Sequence, residues 1–329
     1  MEPIIVVGAG ISGVACARTV ADAGLPVRLL DRGRRIGGRM ASRRFEGRPV
    51  DMGASYFTVS DDRFGAVVEG WRQAGLARPW TDTFTVLSPG AEPRTTTGPV
   101  RWATPGGLRS LVEDLAAPLA VEQAAVAQVT RRDGVLQVDD RPAAAAVLAM
   151  TDSQARAVLG EGLEDDAAVL TRASESVIAT VAWYAERLWN LDGAFVNDDP
   201  DLAWIADDGS RRGDFAPYLV AHSTPGLAQP HLEAPQEAGP PMVAALRRLL
   251  DLPEPVGTYV HRWSQARPIG ERAEPFHLSE RGLGVCGDGW GPVSKVEGAW
   301  LSGTALGEEL RSEEHTSELQ SPMYLVCRL

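Results

Sequence analysis

Three glycines near the start of the chain, Gly8, Gly10 and Gly13 in PIIVVGAGISG, stand at G-x-G-x-x-G spacing, and Asp31 closes the next apolar run. Each has a chemical use. Gly8 permits a tight turn, Gly10 lets the main chain approach a pyrophosphate, and Gly13 lets a helix pack close to a strand. The helix that follows would offer the free backbone N–H groups of its N-terminus and the positive end of its dipole, and Ile11 and Ser12, between the glycines, are cofactor-binding candidates with them. The Asp31 carboxylate, with Arg32 beside it, could accept hydrogen bonds from a ribose. The chemistry is dinucleotide binding. A second set lies near the other end of the chain. Gly287-Asp288 follows an apolar run, and Lys295 immediately precedes Val296 and Ala299. Lys295 is the only lysine in the sequence. Its charge would sit beside a helix start, where it favours anionic ligands, although the scarcity of lysine elsewhere reflects an arginine-rich coding style. His222, Trp263 and Arg267, with His261, are polar or aromatic groups expected at strand ends. They are the candidates for a reactive pocket.

These residues need elements to hold them. Residues 4–7 read as a strand, 14–23 as a helix ended by Gly24, and 27–30 as a second strand, a βαβ unit. Residues 98–118 read as a turn and then a helix from about Leu108. Residues 121–139 read as a hairpin turning at Asp133-Gly134. AAAAVLAMT is a buried-strand candidate. Residues 283–286 form a strand and 296–310 a helix, whose small residues Gly298, Ala299, Ser302 and Gly303 imply close approach to a flat ligand or another backbone. Between 172 and 263 lie five strand-like runs interrupted by one helix at 241–250. The pattern predicts an α/β fold: a Rossmann-type dinucleotide-binding domain (1–54, 98–150 and 266–310), which the resemblance given below makes FAD-binding, with an inserted, mostly antiparallel β substrate domain (55–97 and 151–265).

The totals exclude several functions. The chain has 329 residues, 44% of them hydrophobic, and a formal net charge of −12, which argues against a nucleic-acid partner. Arg43-Arg44 and Arg211-Arg212 read as short solvated pairs. The start lacks a basic leader and no apolar run approaches the ~20 residues of a membrane helix, so a cytoplasmic protein with no membrane partner is expected. Cys16, Cys286 and Cys327 make no disulfide framework, and the histidines show no paired metal-ligand spacing. The last stretch, RSEEHTSELQSPMYLVCRL, breaks the composition of the rest. Its back-translation resembles sequencing-library adapter, so 311–329 is expected to be a translated adapter artefact and is set aside from fold reasoning.

Gly37-Gly38-Arg39-Met40 and Asp51-Met52-Gly53-Ala54 resemble the second FAD motif of amine-oxidase-like flavoproteins, and Gly287-Asp288 with the following helix resembles their C-terminal one. The resemblance implies noncovalent FAD. Gly38, Arg39 and Met40 would lie at the pyrophosphate, and Gly53, Ala54 and Ser55 along the isoalloxazine. Val126 would contact the adenine and Asp288 the ribityl or pyrophosphate. Val296 and Ala299 would open the helix aimed at the flavin N1–C2=O edge. Over residues 3–310 the chain resembles renalase-type flavoproteins, on GGRMASRR, VDMGASYFTVSDDRF, HRWSQARP and KVEGAWLSG. That implies an oxidase of isomeric dihydro-NAD(P) species that passes electrons to O2 and gives hydrogen peroxide. Two departures bear on substrate. WIADDGSRRG places Asp207-Asp208 where the bacterial relatives carry Arg-Asn, and Lys295 stands where arginine is usual. Alternatives are amine-oxidase or desaturase chemistry, and a flavin- or nucleotide-binding protein without catalysis. Residues 151–265 lack the lysine that amine oxidases place near flavin N5, and a cation at 295 would repel a cationic amine.

Overall fold

The computed structural model describes residues 2–319, with side chains as far as Ser312. The described residues form two compact units, 2–38, 112–173 and 270–319 in the first, 39–111 and 174–269 in the second. The chain therefore leaves the first unit at Gly38, where the sequence reading kept residues up to 54 in it. Residues 151–173 belong to the first unit, and 98–111 to the second. The reason is pairing: Ser42–Phe45 and Arg48–Asp51 form a hairpin with each other rather than extending the parallel sheet.

In the first unit a six-stranded sheet runs in the order His277–Leu278, Leu283–Val285, Ala145–Leu148, Ile4–Val7, Val27–Asp31, Val121–Gln123. All neighbours are parallel except the first pair. Ile4–Val7 is central and buried at every position, as a β-branched run covered on both faces should be. The helix Ile11–Asp22 follows it. Val121–Gln123 pairs with Val27–Asp31, so the expected hairpin starts later, at Val129–Arg132 and Val135–Val138. Its turn is the one expected, with Asp133 and Gly134 both at positive φ (51° and 81°). The last helix, Val296–Leu319, lies on Ile11–Asp22 through its small residues. A Cβ on Gly303 would fall 1.9 Å from the Ser12 carbonyl oxygen. Of the small residues in that stripe, Gly303 makes the close backbone approach.

The second unit is built on a seven-stranded, mostly antiparallel sheet, in the order Gly257–Pro268, Ser174–Trp183, Tyr218–Ser223, Leu202–Asp207, Gly193–Val196, Arg78–Leu87, Arg94–Ala103. One face carries an apolar core of Ile178, Ala182, Ile205, Leu219 and Ala221 under the helix Gly239–Leu250. Register fixes the other face. Phe195 pairs with Trp204, Trp204 with His222, His222 with Ala179, and Ala179 with His261. Directly opposed residues share a face, so one row of side chains crosses five strands. Among the described residues no helix is long and apolar enough to cross a membrane.

Candidate functional site

In the first unit the glycine turn is built as its spacing predicts. Gly8 sits at φ 107°, a backbone region closed to most side chains, and its N–H donates to Leu30 O at 2.7 Å. Ile11–Asp22 begins at Gly10 with no side-chain cap and no acidic residue in its first turn. Its leading N–H groups and positive dipole are therefore left for an anion. Gly10 and Gly38 face each other: a Cβ on Gly38 would lie 3.3 Å from the Gly10 Cα. The two backbones pass close together with no side chain between them. The Asp31 carboxylate ties the turn together, with Oδ2 accepting Ala9 N–H and Oδ1 accepting Gly33 N–H, both at 2.7 Å. It orders the loop and keeps lone pairs for a further donor. Arg32 follows Asp31 at the strand end. Val126 is half-buried in the loop after Val121–Gln123, whose Ala124 N–H donates to Asp31 O at 2.8 Å.

The C-terminal motif belongs to the same unit. Gly287 lies at φ 149°, its N–H held by Ser302 Oγ at 3.0 Å, and Ser294 Oγ donates to Asp288 at 2.6 Å. Trp290, buried, has the Arg272 guanidinium over its ring at 3.8 Å and His277 stacked against it. Arg172 donates to the carbonyls of Gly270 and Gly289. Lys295 is exposed. Its carbonyl accepts Ala299 N–H at 2.9 Å, ahead of the helix starting at Val296, and among the described residues no carboxylate pairs with its side chain. Glu297 in the first turn is buried, an acid at a helix N-terminus that the sequence reading passed over.

In the second unit, residues 51–55 form a ledge across the open face of the seven-stranded sheet. Met52 O accepts two hydrogen bonds, from His222 Nε2 at 2.9 Å and Trp263 Nε1 at 3.0 Å. A carbonyl only accepts, so His222 carries its proton on Nε2. Ala54 N–H donates to Arg39 O at 2.9 Å, and Arg39 in turn donates to Ala266 O at 3.0 Å. Met40 is buried just beyond, in the short helical turn Gly38–Met40. Trp204 Nε1 donates to Ser55 Oγ at 2.9 Å. At Gly53 a Cβ would meet Arg39 O at 2.0 Å and Trp263 at 3.1 Å, so only glycine fits there. Desolvation is the main cause that pushes the His222 pKa down to about 4, with Arg211 and Arg267 adding to it, so the ring is neutral at pH 7.

His222 and Trp263 are thus brought together with Gly53 and Ala54, in the role of donors to the ledge. Trp263 and His261 lie inside the strand Gly257–Pro268, not at its end, with their rings 4.5 Å apart. Arg267 is exposed and pairs with Glu175 at 3.2 Å. One reading is overturned. Arg211 and Arg212, expected as a solvated pair, are 1% and 5% exposed, and Asp208 beside them is fully buried. The helix Asp208–Arg212 turns in under the ledge, where Asp208 pairs with Arg211 at 2.6 Å and with Arg212 at 3.2 Å. Arg212 also pairs with Asp51 at 2.5 Å. Hydropathy alone could not show this. The available signal was sign and spacing: an acid followed by bases at i+3 and i+4, directly after an apolar strand.

Residues 6–71 match the family model described as "NAD(P)-binding Rossmann-like domain". Polyamine oxidase 5 of Oryza sativa is 47% identical over 53 residues, 16% of this chain and 11% of that protein. Carotenoid 3,4-desaturase of Haloarcula japonica is 40% identical over 67 residues, 20% of this chain and 14% of that protein. The matched stretches thus span little more than a tenth of these relatives. Among solved structures, cyclohexylamine oxidase from Brevibacterium oxydans superposes with a TM-score of 0.75 over 95% of this chain and 99% of that one, at 13% identity. Putrescine oxidase bound to putrescine does so with a TM-score of 0.69 over 94% of this chain and 99% of that one, at 15% identity. The class this defines is one of fold: a Rossmann-like dinucleotide-binding unit with mixed α/β sheets, as in amine-oxidase-like flavoenzymes.

Proposed function

We propose that the protein is a noncovalent FAD-dependent oxidoreductase. The observation that carries this reading is the ledge at residues 51–55. A nucleotide-binding unit needs no such strip, yet its backbone is held from outside: Asp51 O and Ser55 O by Arg211, Met52 O by His222 and Trp263, and Ala54 N–H by Arg39 O. The residues present fit the cofactor. A pyrophosphate would lie against the uncapped N-terminus of Ile11–Asp22, where Gly10 and Gly38 present no side chain. Asp31 accepts from the ribose, with Arg32 flanking it, and Val126 contacts the adenine. By the resemblance, Asp288 and the first turn at Val296 and Ala299 would hold the ribityl and ring edge, and Gly53, Ala54 and Ser55 would lie along the ring. When bound, the flavin would accept a hydride from the substrate and pass its two electrons to O2, which with the hydride's proton and a second proton from solvent gives hydrogen peroxide. This chain's residues orient the substrate and exclude water. Both described cysteines are buried and desolvation raises their pKa, that of Cys286 to about 12, so neither supplies a thiolate for a covalent flavin link.

For substrate we favour an isomeric dihydro-NAD(P) species, as in the renalase-type resemblance. Hydride transfer from a dihydronicotinamide needs no protein base, in keeping with a His222 that is neutral and spent on Met52 O. Lys295 and Arg267 would act on the anionic substrate as exposed cations. A second reading, amine oxidation, is favoured by the likeness to polyamine oxidase and to putrescine oxidase. Anaerobic mixing separates them: dihydronicotinamide isomers should bleach the bound flavin in seconds, and putrescine or spermidine should not. Bleaching by the amines alone overturns the substrate, and a protein that takes up no FAD overturns the whole reading.

A further inference from the structure

We propose that Arg211 is the positioning residue of the ledge, the one side chain that fixes both of its ends. The inference rests on the functional reading for its consequence and on geometry for its content. Its Nη2 donates to Asp51 O at 2.5 Å, its Nη1 to Ser55 O at 3.2 Å, and its Nε to Asp208 Oδ1 at 2.7 Å. One planar guanidinium thus holds the first and last carbonyls of residues 51–55, while His222 and Trp263 hold the carbonyl of Met52 between them.

Such a group is costly to bury and is stable only when its charge is matched. The match is local. Arg211 and Arg212 face the carboxylates of Asp208 and Asp51, and the half-buried Arg48 reaches Asp208 from one side and Asp214 from the other. Desolvation works against charge on Asp208. The guanidiniums of Arg212, Arg211 and Arg48 outweigh it and bring the carboxyl below its ordinary range. Asp51 is tied further by Leu108 N–H at 3.1 Å and by Ser42 Oγ. The cluster is neutral among its four buried members and nearly saturated in hydrogen bonds, the condition under which a buried polar network rigidifies what it touches. A lysine could not replace Arg211. An ammonium is a point donor and cannot reach three acceptors laid out in one plane.

The consequence falls on residues 52–54. Arg211 sets the ring's environment along residues 52–54, and with it the rate of hydride transfer, which loses about 100-fold for an ångström of misplacement.

The test uses holoenzyme of Arg211→Lys, Arg211→Met and Asp208→Asn. Three readouts are taken: amide hydrogen exchange of the peptide spanning 51–55, visible circular dichroism of the bound flavin, and FAD dissociation constant. Expected are at least tenfold faster exchange in that peptide, a changed flavin dichroism, and FAD affinity within about threefold of wild type. The lysine variant keeps a cation and serves if the methionine variant fails to fold. Wild-type exchange and dichroism in folded Arg211→Lys would overturn the proposal, as would an affinity loss of 100-fold with unchanged dichroism. If wild-type protein binds no FAD, the functional reading falls, and the exchange of 51–55 still decides whether Arg211 fixes the ledge.

Discussion

At the residue scale, His222 is a donor that must stay neutral. Its pKa lies near 4 in the folded protein, against 6.5 when free, chiefly through desolvation. Between those values the unfolded chain binds a proton that the native state refuses, so stability rises with pH through this window and is lost as pH falls from 6.5 toward 4. The linkage is worth about 2 kcal/mol at pH 5 and nothing above pH 7. His222→Gln keeps an N–H near Met52 O and removes the titration. Its melting temperature should therefore change less between pH 7 and pH 5 than that of wild type, and equal changes would show that His222 does not control the acid limb. Lys295 makes the opposite kind of claim. It is exposed, so its field is screened by salt. Lys295→Met should lower the second-order rate of flavin reduction by a phosphate-bearing dihydronicotinamide about two- to fivefold at low salt and by nothing measurable at 0.5 M salt; a loss that persists in high salt would mean direct contact. Both residues were visible in the sequence. What was not visible is that His222 and Trp263 share one acceptor, because that depends on strand register.

At the level of elements, reading went well wherever a local rule forces the answer. The glycine turn, the Asp133-Gly134 turn and the helix Gly239–Leu250 each follow from turn chemistry or apolar spacing, and all three appear within two residues of their expected places, although the first strand of that hairpin begins only at Val129. It failed at Asp208–Arg212, a five-residue helix that breaks the rule that charges face water. There burial is decided by partners from Asp51 and Arg48, which local pattern cannot see. The pairing of Ile11–Asp22 with Val296–Leu319 lies between these cases: the small residues announced a close approach, though not to what. Gly303→Ala tests it. The new methyl would overlap the Ser12 carbonyl oxygen, 1.9 Å from the Cβ position. The helices must separate or Ile11–Asp22 must shift, at a cost of about 2–3 kcal/mol. Since Ser12 stands in the first turn of the nucleotide-binding helix, FAD affinity should fall along with thermal stability. A stable variant with unchanged affinity would show that the two helices do not set each other's position.

On the scale of the whole molecule, each unit is assembled from separated lengths of chain. The first unit's sheet takes strands from residues 4–31, 121–148 and 277–285, and its proposed cofactor residues lie in those segments or just past their ends: Gly10 and Asp31, Val126, and Asp288. A ligand that touches all three stabilises a unit that no single stretch of sequence could form. Binding only to the native state contributes RT ln(1 + [L]/Kd), about 2.7 kcal/mol at a free FAD concentration a hundredfold above Kd. Because the segments meet in one hydrogen-bonded sheet, that increment should be shared rather than local. Hydrogen exchange with and without FAD is the measurement. Slowly exchanging amides in Ile4–Val7, Ala145–Leu148 and Leu283–Val285 should all slow by a common factor near a hundred, since these strands pair in register. Acid precipitation of the same sample should release all the yellow colour, because neither buried thiol can have formed a bond to it. If protection rises only around residues 8–31, the nucleotide is held by the βαβ motif alone. Gly287-Asp288 would then be a structural turn, with no part in binding the cofactor.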